Sequence, residues 1–432
     1  MEMKRASLLD LLLVNAYWVG LSFKWNSLHV LILPAILLNF IPENLKNTYL
    51  GLLTFVGLVI AMILQPIAGA WSDGWRSRFG KRRPLMLIGT LFDFVFLAIL
   101  GWSGGLVWLA LGYIGLQISS NLAHGPAQGL IPDNIPPQQH GAASGVKNLM
   151  DMSGLVISSL LMGQLLDPNT RQPVIPMLVV GGFVLLGTAI TILGVREAPN
   201  LPEQGEPQPV WKTSQATSCR LCAIPLARSQ PGRRASILES ILTIHPAYRW
   251  LIASRFIFLL GIYDIQVFAQ YYIRDVLKVP NPVELTGNLL AAITLALIVF
   301  ALAGGWLGDR FSHKRMLYIA SGVGALGCLL LLLARTPDKL LVFGAVLGVG
   351  IGLFLTSNWA LANLHAPAGS AGKYLGLTNL ATAGAGALGR LGGSLIDLLN
   401  NASPGAYRGY LAMFVFGAIC SLFSVLFLRR VR

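Results

Sequence analysis

The sequence predicts an all-α membrane protein of twelve transmembrane helices in two pseudo-symmetric six-helix bundles, and three observations carry that prediction. The 432 residues are 54% hydrophobic and only 12% charged, about half the roughly 25% charged share of a soluble domain. Lipid, not water, is therefore the solvent for most of the surface. Apolar runs of the roughly 20 residues needed to cross a bilayer recur along the chain. One loop is also used twice. Residues 65–84 read QPIAGAWSDGWRSRFGKRRP, in which a helix end at Gly69–Asp73 is followed by Arg76, Arg78, Lys81, Arg82 and Arg83. A shorter copy runs from Gly305 through Asp309 and Arg310 to Lys314 and Arg315, about 236 residues later. The shared G-x-x-x-D and basic cluster imply an internally duplicated membrane protein.

Twelve spans fit, at about 8–40, 48–71, 84–103, 105–130, 142–166, 174–195, 247–274, 284–307, 315–334, 340–364, 373–399 and 406–428. Lys4 and Arg5 precede the first run, and no A-x-A-like site follows it, so it reads as an uncleaved span. The connecting loops are short except one. Residues 196–246 are rich in Pro, Ser, Gln and Arg, a linker composition. The expected domains are thus a first bundle at 1–195, a linker at 196–246 and a second bundle at 247–432.

Basic residues orient the chain. With this layout roughly 22 Lys and Arg fall at the termini, the linker and the loops on that side, against about 7 on the other. Both termini are expected in the cytoplasm, with the plasma membrane as the location. The net charge of +14 sits in these short loops, so it speaks for membrane orientation and not for nucleic acid. Cys219 and Cys222 form a lone C-x-x-C, and Cys328 and Cys420 lie in spans. Reduced thiols are expected, with no metal site. No P-loop, H-E-x-x-H or nucleophile elbow occurs, so neither an enzyme nor an ATP-driven pump is expected, and no cofactor. The glycine run Gly384–Gly393 lies inside a span and reads as tight helix packing.

The halves align beyond the loop. Gly141–Asn148 matches Gly372–Asn379 at an offset of about 231. Matching the first span to the seventh sets Lys24 against Asp264 and Asn26 against Gln266.

Six plus six spans, a long linker and the paired G-x-x-x-D loop resemble the major facilitator superfamily along the whole chain. The longer insert from Asp73 to Gly80, ending Gly80-Lys81-Arg82-Arg83-Pro84, and the segment Gly125–Asp133 are similar to the sucrose and other glycoside–cation symporters. The resemblance implies a secondary active transporter working by alternating access. Its implied activity is import of a sucrose-like disaccharide with a proton, usually by a monomer. It also implies that spans one, four, seven and ten line a central cavity.

Residue chemistry supplies the candidates. Gly69 and Gly305 permit close helix approach. Asp73 and Asp309 can meet helix N-termini. Arg76, Arg82, Arg83 and Arg310 can reach carboxylates, so with Gly80 these nine residues form an expected conformational clamp. Six charges fall inside spans: Lys24, Asp93, Asp151, Arg255, Asp264 and Arg390. Each costs roughly 2.5–3.5 kcal/mol at a helix centre, so they must pair or face a wet cavity. Lys24, Arg255 and Arg390 are expected in intramembrane ion pairs, with Lys24 bridging to Asp264 across the halves. Asp264 or Asp151 is the expected proton carrier, with Asp93 a structural partner or peripheral proton site. The substrate set comprises Lys24, Asn26, His29, Asn121, His124, Gln128, Asp264, Gln266, Gln270, Asn358 and Trp359. Amides offer both donors and acceptors to hydroxyl-rich ligands, and Trp25 or Trp359 could stack on a sugar. Two other readings are an exporter of amphipathic compounds, which needs an apolar cavity, and a non-transporting scaffold that hands pigments or lipids to complexes.

Overall fold

A computed structural model describes residues 5–195, 197, 246–365 and 371–431, and their regular structure is helical throughout. The first span is α1 (Leu8–Asn26), capped by Ser7, whose hydroxyl accepts from the Asp10 amide while Asp10 accepts in return. It continues through a π-turn at Ser27–Ile32 into Leu33–Leu37. Then come α2 (Lys46–Asp73), α3 (Arg83–Gly101), α4 (Leu106–Gln128), α5 (His140–Leu165) and α6 (Val174–Gly194). The second set is α7 (Pro246–Tyr272), α8 (Pro282–Phe311), α9 (His313–Leu333), α10 (Pro337–His365), α11 (Ala371–Gly389) and α12 (Arg408–Leu428). A π-turn at Ile273–Leu277 extends α7, mirroring the one in α1. After a break at Arg390–Leu391, α11 resumes at Gly392–Ala402.

Ten of these helices are long and apolar enough to cross a membrane. The remaining two, α5 and α11, are diluted by glycine, serine and charge, and they occupy equivalent places in the two sets. The expected spans thus appear as helices, with one departure. The eleventh is two pieces, because Gly389 and Gly392 flank a turn that lets Asp264 of α7 pack into the gap.

The repeat is visible in the packing. In the first set α1 packs on α5 and α6, α2 on α4, and α3 on α4 and α6. In the second α7 packs on α11 and α12, α8 on α10, and α9 on α10 and α12. The two seams between the sets obey the same relation, since α5 meets α8 and α11 meets α2. Small residues set both seams. A β-carbon at Gly287 would stand 2.2 Å from the Ser159 carbonyl, and one at Gly51 would stand 2.1 Å from the Arg390 carbonyl. Neither position admits a side chain unless a backbone moves. Cys328 and Cys420 are buried free thiols, whereas Cys219 and Cys222 lie outside the described residues. So does almost all of the expected linker.

Candidate functional site

Three charged layers stack through the molecule. At the face carrying the G-x-x-x-D loops, Arg82 at the start of α3 organises the first bundle. Its guanidinium meets Asp73 at 2.5 Å and Asp133 at 2.8 Å, and it donates to the Ser72 hydroxyl. Lys81 adds a 3.1 Å contact to Asp133. Gly129 leaves room for this, because a β-carbon there would stand 2.5 Å from the Arg82 guanidinium carbon. Gly80, at φ +93°, turns the chain into α3. The Arg82 and Arg83 amides then donate to Glu197 at 3.1 and 3.2 Å, and the Arg83 guanidinium donates to the Ile192 carbonyl. Burial pushes the Glu197 carboxyl up from its ordinary range, against the two amide donors that pull it down. Gly69 serves close approach, since its amide lies 2.7 Å from where a Gly125 β-carbon would sit.

Arg76 differs from the expected clamp, being exposed with no ion pair among the described residues. The second copy of the loop also differs. Asp309 pairs with His313 at 3.2 Å, one turn along, and Arg310 lies over the Trp306 and Phe311 rings. Gly305 faces Thr356 at an ordinary van der Waals distance of 3.7 Å. The reason is local: α9 begins at once with His313, so no long cationic loop returns to the aspartate.

The middle layer holds the intramembrane charges. Lys24 pairs with Asp93 of α3, and Ser119 and Ser120 of α4 bind Asp93 and Lys24 at 2.5 and 2.6 Å. The expected bridge from Lys24 to Asp264 is therefore replaced by a pair within one bundle; Lys24 is 0% exposed and turned inward. Asp151 accepts from Ser22, and Lys147, which composition alone did not single out, lies over the Trp18 ring at 3.8 Å. Asp264 is buried against Gly392, and its Oδ1 has no hydrogen-bond partner among the described residues. The expected ion pairs of Arg255 and Arg390 are also absent among the described residues. Arg255 donates to Thr382 at 2.9 Å and to Asn358 at 3.1 Å; Arg390 folds back onto the Gly386 carbonyl at 2.5 Å.

The amide set divides. Asn26 ties α1 to α5 through Ser158 and Ser159 at 2.7 and 2.9 Å, and Asn121 donates to the Gln117 carbonyl of its own helix. His124 meets Gln65 at 3.1 Å and Gln128 at 3.4 Å. With its amide turned to satisfy both groups, Gln270 donates to the Leu31 and Val30 carbonyls. His29 stacks on Trp25 at 5.0 Å and meets the Tyr113 hydroxyl at 2.8 Å, with Gln117 donating to the same oxygen. Trp359 is 37% exposed, 5.8 Å from the Arg255 guanidinium. Gln266 instead lines a cavity of about 210 Å³ between α5, α7, α8 and α10, whose walls include Leu155, Tyr263, Ile293 and Ile351. That wall is apolar.

The third layer closes the face opposite the loops and was missed by sequence reasoning. Lys46 meets Asp275 at 2.6 Å, and Arg274 meets Glu43 at 2.8 Å. Asp397 accepts from Asn47 at 2.8 Å and from the Thr48 amide at 2.7 Å; Tyr410 donates to Asp275 at 2.7 Å. Among the described residues, the polar contacts that join the two sets gather here and at Gln270 with Val30 and Leu31, whereas the loop-face contacts stay within one set. Asp397 in the eleventh span was the available signal, an uncounted carboxylate inside an apolar run.

The sequence profile of the Major Facilitator Superfamily matches residues 21–390. The multi-drug resistance efflux pump PmrA of Streptococcus pneumoniae is 22% identical over 382 residues, 88% of this chain and 85% of that pump. The sucrose transport protein SUC3 of Arabidopsis thaliana is 25% identical over 165 residues, 33% of this chain and 27% of that protein. A bacterial homologue of the lysosomal transporter Spinster, inward-facing and unoccupied, superposes with a TM-score of 0.71 at 15% identity, covering 98% of this chain and 97% of that one. A D-xylose–proton symporter gives 0.69 at 14% identity, covering 98% and 97%. The chain is accordingly a multi-pass membrane transporter of small molecules and not an enzyme, and with the profile spanning both bundles it belongs to the Major Facilitator Superfamily.

Proposed function

We propose that this protein is a proton-linked transporter of amphipathic small molecules, working as a monomer in the plasma membrane by alternating access with both termini cytoplasmic. Asp264 carries the reading. It is a buried carboxylate at the break of α11, with no cation partner among the described residues and one oxygen unbonded. A carboxylate so placed is stable only when neutral or when water reaches it. It therefore takes a proton while shut away and releases it when the gap between α7 and α11 opens to water. Asp93 is paired with Lys24 and Asp151 accepts from the Ser22 hydroxyl, whereas Asp264 has no ion pair among the described residues.

The apolar cavity beside α7 favours an amphipathic substrate, and the similarity to an efflux pump over most of the chain points the same way. With contacts between the sets clustered opposite the loops, the molecule sits in the loop-side-open arm of its cycle. Import of a sucrose-like disaccharide is the second reading, favoured by the Trp25–His29 stack and by the sucrose-transporter similarity of the shorter segment. Reconstitution into liposomes holding a pH-sensitive dye tests both. An amphipathic dye should move with protons, and Asp264→Asn should abolish uphill movement while leaving exchange. Normal uphill transport by the variant would refute the assignment; acidification on adding sucrose, with no response to the dye, would establish the second reading instead.

A further inference from the structure

In the middle layer described above, four cations, Lys24, Lys147, Arg255 and Arg390, stand against three carboxylates, Asp93, Asp151 and Asp264. Lys24 is taken by Asp93, and Lys147 has Asp151 one turn along the same helix. Two guanidiniums remain, and Asp264 pairs with neither. Arg255 and Arg390 are 7% and 8% exposed. Their described partners are a hydroxyl, an amide oxygen and a backbone carbonyl, all neutral. Arg390 Nε and Asn358 Nδ2 have no partner among the described residues. A guanidinium does not shed its proton in a protein, so two buried positive charges persist with unfilled donors beside them, one on Arg390 itself and one on the Asn358 amide that Arg255 holds. What fills that space must accept hydrogen bonds and bring negative charge. Tyr263 joins the space to the apolar cavity. It lines the cavity, and a β-carbon on Gly386 would stand 3.6 Å from both its ring and Arg390 Nη1.

We infer that the substrate is an amphiphilic anion: an oxyanion head, carboxylate or phosphate, held by Arg390 and Arg255, with its apolar tail in the cavity between α5, α7, α8 and α10. This rests on the transport reading above and narrows it. A disaccharide has neither the charge nor the tail, and a lipophilic cation is repelled by the pair.

Equilibrium binding to the full-length protein in phosphatidylcholine nanodiscs decides the matter. Radiolabelled dodecyl phosphate and laurate are the probes, and dodecanol, dodecyltrimethylammonium and sucrose are the competitors. At least one anion should bind saturably, and which one does so names the head group. Dodecanol should compete about tenfold or more weakly, and the cation and sucrose should not compete. Arg255→Gln and Arg390→Gln should each weaken anion binding about tenfold or more, with Arg390→Lys recovering part of the loss. Equal competition by dodecanol or the cation overturns the inference, as does unchanged anion binding in both glutamine variants. The wild-type competition series stands even if a variant fails to fold. Binding needs no turnover, so anion binding without flux in the liposome assay sinks the transport reading alone. Flux of neutral or cationic compounds without anion binding sinks this inference alone.

Discussion

Lys24 and Asp93 illustrate how a buried charge is tolerated in a lipid-facing chain. Each satisfies the other, and two serines from α4 add one further bond to each. Removing one partner leaves the other stranded, which typically costs about 3–5 kcal/mol. Lys24→Met should therefore lower the unfolding temperature of the solubilised protein sharply. The double variant Lys24→Met/Asp93→Leu should recover much of that loss, and equal damage by single and double variants would contradict the pairing. Glu197 makes the opposite case at the loop face. Its folded carboxyl titrates above the ordinary glutamate range because it is partly buried. The folded state thus holds that proton more tightly than the unfolded chain. Stability contributed by the group is fully present below the ordinary value and falls as pH rises through the raised one. Glu197→Gln should flatten this fall in a melting-temperature series, and an unchanged slope would assign it to other groups. The sequence announced that six charges needed partners but not which partners. Lys24 chose a neighbour within its bundle because Asp93 of α3 and Ser120 of α4 turn toward its ammonium, a matter of helix rotation that one-dimensional spacing does not carry.

At the scale of helices, legibility followed length and periodicity. Apolar runs locate most spans within a few residues, since the bilayer dictates how many residues a helix needs. The break in α11 was hidden, because Gly384–Gly393 reads equally well as a smooth packing stripe. The closing contacts of α2 were hidden as well, since Lys46 and Asp275 look like ordinary helix-end charges until α2 meets the π-turn of α7 and the second piece of α11. Asp397 anchors that seam with bonds to Asn47 and Thr48. Asp397→Asn should weaken it and shift the population toward the form open on that face. An impermeant thiol reagent applied from that side should then label a cysteine placed at Gln270 several-fold faster than in the parent. Unchanged labelling would mean that the seam is held elsewhere.

For the whole molecule, duplication was the most readable property. The loop motif, the alignment of Gly141–Asn148 with Gly372–Asn379 and the matched helix pairings all report the same repeated unit. Orientation rests on charge counting, and it is directly measurable. A cysteine at Arg76 should be labelled only from the cytoplasmic side and one at Asn281 only from the other, in intact cells; the reverse pattern would invert the topology.

The pairs at the closed face differ in how much water they see. Glu43 is 60% exposed and Arg274 37%, whereas Lys46 and Asp275 are 7% and 10% exposed. Mobile ions screen exposed charges beyond about 10 Å at 0.1 M and shorter distances at higher concentration, but reach buried pairs poorly. Brine on that side alone would slacken the outer bond and spare the inner one, making the turnover rate responsive to the salinity of one compartment and indifferent to that of the other.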